Sequence, residues 1–153
     1  MEQRAEMIRL EDAGTCIFCP GHLASNPERH ISFQTEWWSV TENKFPYPDA
    51  RVHLLLIPTL HVSDLLDLPD AARTDLWVAL DRARQAHGLD FYGLGVRCGD
   101  CRFTGGTIAH LHIHVIAGDV DDPGHQPVSL KLSSRPDSDM QTQARNVPGK
   151  EVP

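Results

Sequence analysis

The sequence predicts an α+β domain in which a five-stranded antiparallel sheet is packed by helices. Stretches rich in β-branched and apolar residues recur along the chain at lengths typical of strands. Residues 70–87 instead repeat their apolar side chains at the spacing of one helix face. This helical segment lies between the third and fourth predicted strands, which favours a sheet packed by helices.

The predicted strands follow one another up to residue 117. They comprise residues 30–34, 37–41, 51–58, 91–98 and 108–117. The third is the most apolar run of the chain, and Pro58 at its end is typical of the exit of a central strand. Pro69 and Gly88 bound the helix, because proline suits a first turn and glycine a C-terminal stop.

The remaining segments carry weaker signals. Residues 7–10 predict a short helix, residues 20–27 an irregular segment with two prolines, and residues 99–106 a glycine-rich loop. Residues 128–132 predict a short strand, and residues 133–153 are polar and without period, which indicates a flexible tail.

Length and composition place the chain among ordinary globular domains. The 153 residues predict a single domain over residues 1–132, and no apolar run is long enough to span a membrane. The net charge of −7 argues against general nucleic-acid binding. Because the N-terminus does not resemble a signal peptide, we expect a cytoplasmic protein whose four cysteines are thiols or metal ligands.

The most informative stretch is residues 109–118, AHLHIHVIAG. Its alternation predicts a strand with His110, His112 and His114 on one face and Leu111 and Ile113 buried on the other. Adjacent imidazoles are then expected about 6.5–7 Å apart along the strand. Histidine is rarely used merely as a polar surface residue, so three in five positions indicate a site.

This stretch resembles the signature of the histidine triad (HIT) family, in which His and apolar residues alternate before two further apolar residues. CIFC at residues 16–19, LLLIPTLH at residues 54–61 and NKF at residues 43–45 resemble further elements of the family. The resemblance covers about residues 14–120 and implies the family's α+β fold and its common homodimer. Trp77, off the apolar stripe of the helix, is compatible with a partner surface.

The resemblance implies a covalent mechanism. The middle histidine, His112, corresponds to the nucleophile that attacks phosphorus, and His114 corresponds to a residue that contacts the reacting phosphate. Thr107 stands where the family places a phosphate-binding Ser or Thr, and Gly106 before it allows backbone N–H groups to approach an anion. Asn43 corresponds to a ribose contact.

Two features depart from the family pattern. The interval from Asn43 to His53 is about two residues longer than expected, and one position carries a different residue type. Many members carry Asn or Gln eleven residues before the first triad histidine, where this chain has Gly99. Arg97 and Arg102 are the candidates to replace that side chain. His53 matches a family histidine that we expect to orient a triad ring. The candidate walls of a purine pocket are Phe18, Phe45, Ile31 and Leu54.

The cysteines allow two metal sites. CxxC is a strong half-site for tetrahedral zinc, and the zinc-containing relatives imply Cys16, Cys19, His61 and His110 as the ligand set. The alternative is a four-cysteine site that adds Cys98 and Cys101 to the first pair; a further alternative is that no metal binds. With four protein ligands a zinc ion would be structural. No organic cofactor is expected.

The resulting prediction is a nucleotide hydrolase or nucleotidyl transferase that acts at the α-phosphate of a nucleoside phosphate derivative, with a purine nucleotide as the expected substrate. One alternative is a nucleotide-binding module with little turnover, consistent with the glycine at position 99. The other is a metal-dependent enzyme in which His110, His112 and His114 surround one open-site metal.

Overall fold

The helices and strands follow the predicted order. We analysed a computed structural model, which describes residue 14 and residues 16–136. The elements are α1 (Pro20–Ser25), β1 (Ile31–Gln34), β2 (Trp38–Glu42), β3 (Ala50–Pro58), a 3-10 turn (Leu65–Asp67), α2 (Asp70–His87), β4 (Gly93–Val96), α3 (Cys101–Thr104) and β5 (Ile113–Gly118). The helix predicted at residues 7–10 and most of the predicted tail lie outside the described residues.

The strands form the predicted five-stranded sheet, in the order β1-β2-β3-β5-β4 with every pair antiparallel. The central pair is β3 and β5, in which Leu55 lies opposite His114. His53 precedes Leu55 by two residues and therefore lies on the same face of the sheet. This register brings His53 and His114 together as diagonal neighbours.

The alternation of β3 divides the core into two clusters. Leu54 and Leu56 face α2 and pack with buried residues of that helix, whereas Leu55 and Ile57 face the opposite side. The second side is covered by the segment around α1, through Phe18 and other apolar residues. The segment that carries Cys16 and Cys19 therefore lies on the same sheet face as His114.

The triad stretch differs from the predicted strand. Pairing in β5 begins at Ile113, not at residue 108, because the preceding residues bond to the chain that follows β3. The backbone N–H of Leu111 donates to the carbonyl of Val62 at 2.7 Å. Leu111 and Ile113 are buried as predicted, but His110 and His114 are buried too, so the histidine face is not an open surface.

Three smaller segments also differ from expectation. Residues 20–25 form α1, because Pro20 occupies the first turn, where a proline is tolerated. The predicted loop at residues 99–106 contains α3, which the Asp100 side chain caps by accepting from the backbone N–H of Arg102. Residues 128–132 form no strand and instead lie beside β4, where Leu130 covers Gly95. Among the described residues, no helix has the length and apolarity needed to cross a bilayer.

Candidate active site and metal centre

Four potential metal ligands meet where the N-terminal segment packs against the sheet. Ligand atoms of Cys16, Cys19, His61 and His110 all lie within 4.8 Å of one another. Cys16 Sγ lies 3.4 Å from His110 Nδ1, and Cys19 Sγ lies 3.4 Å from His61 Nδ1. His110 Nε2 is 2.8 Å from the carbonyl oxygen of Pro58, which can only accept, so the proton is on Nε2 and the Nδ1 lone pair faces the sulfurs.

These separations fit a tetrahedral zinc ion. Bond lengths of zinc to sulfur and nitrogen imply ligand-to-ligand edges of roughly 3.3–3.8 Å. Burial and the neighbouring Cys16 thiol raise the pKa of Cys19 to about 11, so a cation is what would hold the two thiolates together. Cys98 and Cys101 are not members of this group among the described residues, nor are His112 and His114. The geometry thus favours neither the four-cysteine site nor the open site of three triad histidines.

His112 stands apart from this group, with the ring of Phe18 beside it at 5.1 Å between centroids. Its Nδ1 lies 2.9 Å from the carbonyl oxygen of His110, which makes Nδ1 the protonated nitrogen. Nε2 therefore carries an unshared lone pair. Burial lowers the pKa of His112 to about 4, despite the bond to that carbonyl, so the ring is neutral near pH 7.

His114 belongs to a chain of hydrogen bonds that fixes its tautomer. The backbone N–H of Tyr47 donates to His53 Nδ1 at 3.1 Å, which leaves the proton of His53 on Nε2. His53 Nε2 is 2.8 Å from His114 Nδ1, so His114 accepts there and carries its own proton on Nε2. Burial lowers the pKa of His53 to about 4 and that of His114 to about 3. In both cases electrostatic repulsion by the nearby His112 is the second cause of the lower pKa. His114 is therefore a neutral donor.

The imidazoles of His112 and His114 border a cleft of about 190 Å³. Their ring centroids are 5.0 Å apart, closer than the 6.5–7 Å expected of an evenly spaced strand face. The cleft is lined by Phe18, Arg29, Asn43, Phe45, Tyr47, Leu55, Arg97, Gly105, Thr107, Ile108, His112 and His114. The cleft therefore combines a free imidazole lone pair with several N–H and O–H donors. Such an arrangement suits nucleophilic attack on the phosphorus of a bound phosphate group whose oxygens accept hydrogen bonds from the donors.

A family model described as the HIT domain matches residues 28–121, more than half of the chain. The chain belongs to the HIT family. Among curated HIT relatives, the nitrilase and fragile histidine triad fusion protein NitFhit of Caenorhabditis elegans is 30% identical over 112 residues. That match covers 71% of this chain and 24% of the nematode protein.

Two further relatives are informative by name. The adenosine 5'-monophosphoramidase HNT1 of Saccharomyces cerevisiae is 29% identical over 107 residues, covering 66% of this chain and 61% of the yeast protein. The chain thus matches less than two thirds of either curated relative. A zinc-bound histidine triad family protein of Mycobacterium smegmatis superposes with a TM-score of 0.53 at 25% identity, covering 87% of this chain and 90% of that chain.

The substrate-binding residues expected from the HIT resemblance do not all line the cleft. Thr107 does, and so does Asn43, whose Nδ2 lies 3.2 Å from His53 Nε2. Gly106 is not among the lining residues: its backbone N–H donates to Thr104 Oγ1 at 3.4 Å, and the neighbouring Gly105 lines the cleft instead.

Of the residues expected to form the walls of a purine pocket, only some line the cleft. Phe18 and Phe45 line the cleft. Leu54 belongs to the α2 side of the core, because neighbouring β3 residues alternate faces, and Leu55 takes its place. Ile31 packs against the Phe18 cluster and is not a lining residue.

Three polar or charged cleft residues were missed or left open by sequence reasoning. Arg97, one of the two candidates to replace the side chain absent at Gly99, lines the cleft, whereas Arg102 pairs with Asp100. Arg97 follows β4, and continuing the antiparallel register of Gly95 with His114 places it opposite His112. Arg29 and Tyr47 carried no signal in the sequence, since only the packing of their loops onto the sheet brings them to the cleft.

Proposed function

We propose that this HIT protein is a nucleotide hydrolase or nucleotidyl transferase that acts at the α-phosphate of a nucleoside phosphate derivative. The observation that carries the proposal is the 2.9 Å contact between His112 Nδ1 and the carbonyl oxygen of His110, from which we infer the tautomer of His112. Its Nδ1–H is committed to the His110 carbonyl, so the lone pair of Nε2 is free beside the N–H of His114. A neutral imidazole with a fixed tautomer is a competent nucleophile toward phosphorus at neutral pH.

The reaction takes two displacements at one phosphorus. In the first, the Nε2 lone pair of His112 forms a bond to phosphorus as the bond to the leaving group breaks. In the second, water or another acceptor attacks the phosphorus, and the electron pair of the P–N bond returns to Nε2. The proton that the attacking group releases to solvent balances the proton that the leaving group takes up from solvent in the first displacement. His114 Nε2–H and Thr107 Oγ1–H hold the phosphoryl oxygens as negative charge develops on them.

The nucleoside would occupy the apolar side of the cleft. Phe18, Phe45 and Ile108 offer walls for a purine, and the Asn43 side chain is at a suitable edge for a ribose hydroxyl. The side-chain amide of Asn43 also lies against the ring of His53. The adenosine substrate named for the yeast relative supports a purine nucleotide for this chain.

The zinc ion would be structural. Cys16, Cys19, His61 and His110 supply four ligands, which leaves no position for water or substrate. Its chemistry would be to hold the two thiolates and two imidazoles together. The Pro58 carbonyl orients the His110 ring for this role. The zinc-bound mycobacterial relative supports the same metal here.

The protein would act as a homodimer. β4 is an edge strand, and an edge leaves backbone N–H and C=O groups without ladder partners. Phe91 is 48% exposed and Leu94 is 52% exposed beside that edge, an apolar surface that a second copy would bury. Sedimentation of the unaltered protein and of Leu94→Asp tests this: we expect a dimer that the substitution converts to monomer, and a monomeric unaltered protein contradicts it.

A nucleotide-binding module with little turnover is the second candidate function. Gly99 provides no side chain at the position where many family members carry Asn or Gln to hold a phosphate or the leaving group. A screen of a phosphoramidate, a dinucleoside polyphosphate and a nucleotide sugar separates the two functions. The enzyme hydrolyses at least one class, and His112→Asn abolishes that turnover. Nucleotide binding without turnover of any class would favour the binding module.

A further inference from the structure

Two arginines line the cleft without a carboxylate partner. Within the part of the chain that the structure describes, neither Arg29 nor Arg97 takes part in an ion pair. The nearby acidic residue Glu28 pairs with Lys44 instead. Both side chains are half-buried, and a partly desolvated guanidinium without an anion is costly, so these two positions point to a ligand that supplies negative charge.

Arg97 is fixed in place by uncharged acceptors. Its Nε donates to the carbonyl oxygen of Lys131 at 2.7 Å, and its Nη2 donates to the hydroxyl oxygen of Tyr47 at 3.3 Å. Both contacts orient the guanidinium without neutralising its charge. A rigid guanidinium fork is the usual partner of phosphate oxygens in proteins.

The third contact of Arg97 indicates where that anion lies. Arg97 Nη1 is 3.4 Å from His114 Nε2. The His53–His114 hydrogen bond makes Nε2 of His114 a donor, and Nη1 is also a donor, so the two cannot bond to each other. One oxygen of the reacting phosphate, accepting from both, satisfies both groups.

Arg29 is available to bind a different phosphate oxygen. Its guanidinium carbon stands 4.9 Å from the centroid of the Phe18 ring, which holds it beside His112. Its Nη1 is buried and has no hydrogen-bond partner among the described residues. Burial also lowers the pKa of Arg29, and the charge of the neighbouring Glu28 offsets that effect only in part.

We propose that Arg29 and Arg97 form a two-arginine anion subsite, in which Arg97 binds the reacting phosphate and Arg29 binds a second phosphate carried by the leaving group. This assignment rests on the proposed function, since it extends the same cleft. Two guanidinium groups match the charge of a nucleoside polyphosphate, whereas a phosphoramidate with a neutral amine leaving group presents one phosphate only. Arg29 is then the residue that selects the leaving group.

The test compares two substrates that share adenosine and its α-phosphate. One is diadenosine triphosphate, whose leaving group carries phosphate, and the other is adenosine 5'-phosphoramidate, whose leaving group is an amine. Arg29→Gln should lower kcat/KM for the triphosphate about ten- to a hundredfold and that for the phosphoramidate less than about threefold, the range expected for one charge-assisted hydrogen bond. Arg97→Gln should lower kcat/KM for both. Arg102→Gln is the matched control, because that arginine pairs with Asp100.

Arg29→Lys keeps the positive charge and should recover part of the preference for the triphosphate that Arg29→Gln loses. Melting temperatures of both variants show whether a change in substrate preference is accompanied by a change in folding stability. Equal losses for both substrates in Arg29→Gln, or no loss for the triphosphate, would overturn the subsite. If the unaltered protein turns over neither of these substrates nor a nucleotide sugar, the proposed function fails, and calorimetry still tests the subsite. Adenosine 5'-(α,β-methylene)diphosphate should then bind at least tenfold tighter than AMP, and Arg29→Gln should remove that advantage; equal affinities would overturn it.

Discussion

The two histidines at the cleft depend on hydrogen bonds that each fix one ring nitrogen. A backbone carbonyl holds the proton of His112 on Nδ1, and His53 leaves the proton of His114 on Nε2. In the proposed mechanism the first ring attacks phosphorus and the second donates a hydrogen bond. The motif predicted both residues, but the division of roles at the level of atoms needed the register of β3 with β5.

His53→Phe tests this division. The phenyl ring preserves the packing against Tyr47 but supplies no donor to His114, which is then free to adopt the other tautomer. We expect kcat/KM to fall about ten- to a hundredfold with nucleotide affinity nearly unchanged, as is typical when a supporting hydrogen bond is removed. The same change at exposed His30 is the control. Full activity of His53→Phe would contradict the orienting role.

Stability should also depend on pH through these rings. Free histidine has a pKa near 6.5, whereas burial lowers the pKa of His53 to about 4 in the folded chain. Between these values the unfolded chain binds more protons, so the free energy of unfolding should fall as pH is lowered from about 6.5 to about 4. Urea titrations of the unaltered protein and of His53→Phe measure the effect. The variant should show a smaller loss over this window, and an identical slope in both proteins would contradict the assignment.

The longest elements were predictable because their signals are local. The helix at Asp70–His87 has the predicted bounds, since Pro69 precedes it and Gly88 ends it. The start of β5 was predicted wrongly, because apolar alternation has the same period whether or not the backbone pairs with a neighbour. The backbone hydrogen bond from Leu111 to Val62, which holds this stretch off the sheet, joins distant parts of the chain. Neither segment has a sequence pattern that predicts it.

Gly88→Ala should weaken the end of α2. Gly88 has φ +57, a left-handed conformation that disfavours a Cβ, although no atom lies within 4 Å of the position a Cβ would take. The free energy of unfolding should fall by about 1–2 kcal/mol from backbone strain alone. Gly21→Ala, where φ is ordinary and space is open, should cost nothing. Equal effects of both substitutions in thermal denaturation would contradict this account of the helix end.

At the scale of the whole molecule, the four candidate metal ligands join three separate parts of the chain. Cys16 and Cys19 precede α1, His61 follows β3, and His110 precedes β5. The CxxC pair and the triad made this set predictable by resemblance. Arg29, in contrast, reaches the cleft by packing of its loop onto the sheet, which no motif records.

Cys19→Ser, or removal of metal by chelation, should therefore destabilise the entire fold. Because metal binding contributes directly to folding free energy, we expect the melting temperature to fall by roughly 5 °C or more. Cys101→Ser, a thiol outside the group, is the control. Metal analysis should find one zinc per chain in Cys101→Ser and in His112→Ala but not in Cys19→Ser. An unchanged melting curve after complete removal of metal would rule out a structural role.

The central claim is that His112 forms a covalent bond to phosphorus, and acid-labile label on this residue tests it most directly. A substrate labelled at the α-phosphate is mixed with the unaltered protein, quenched in base during turnover and digested to peptides. We predict base-stable, acid-labile label on the peptide that contains His112, and none in His112→Asn, which should still bind nucleoside monophosphate within about 1–2 kcal/mol of the unaltered protein. Label on another residue, or near-normal turnover by His112→Asn, would contradict the claim.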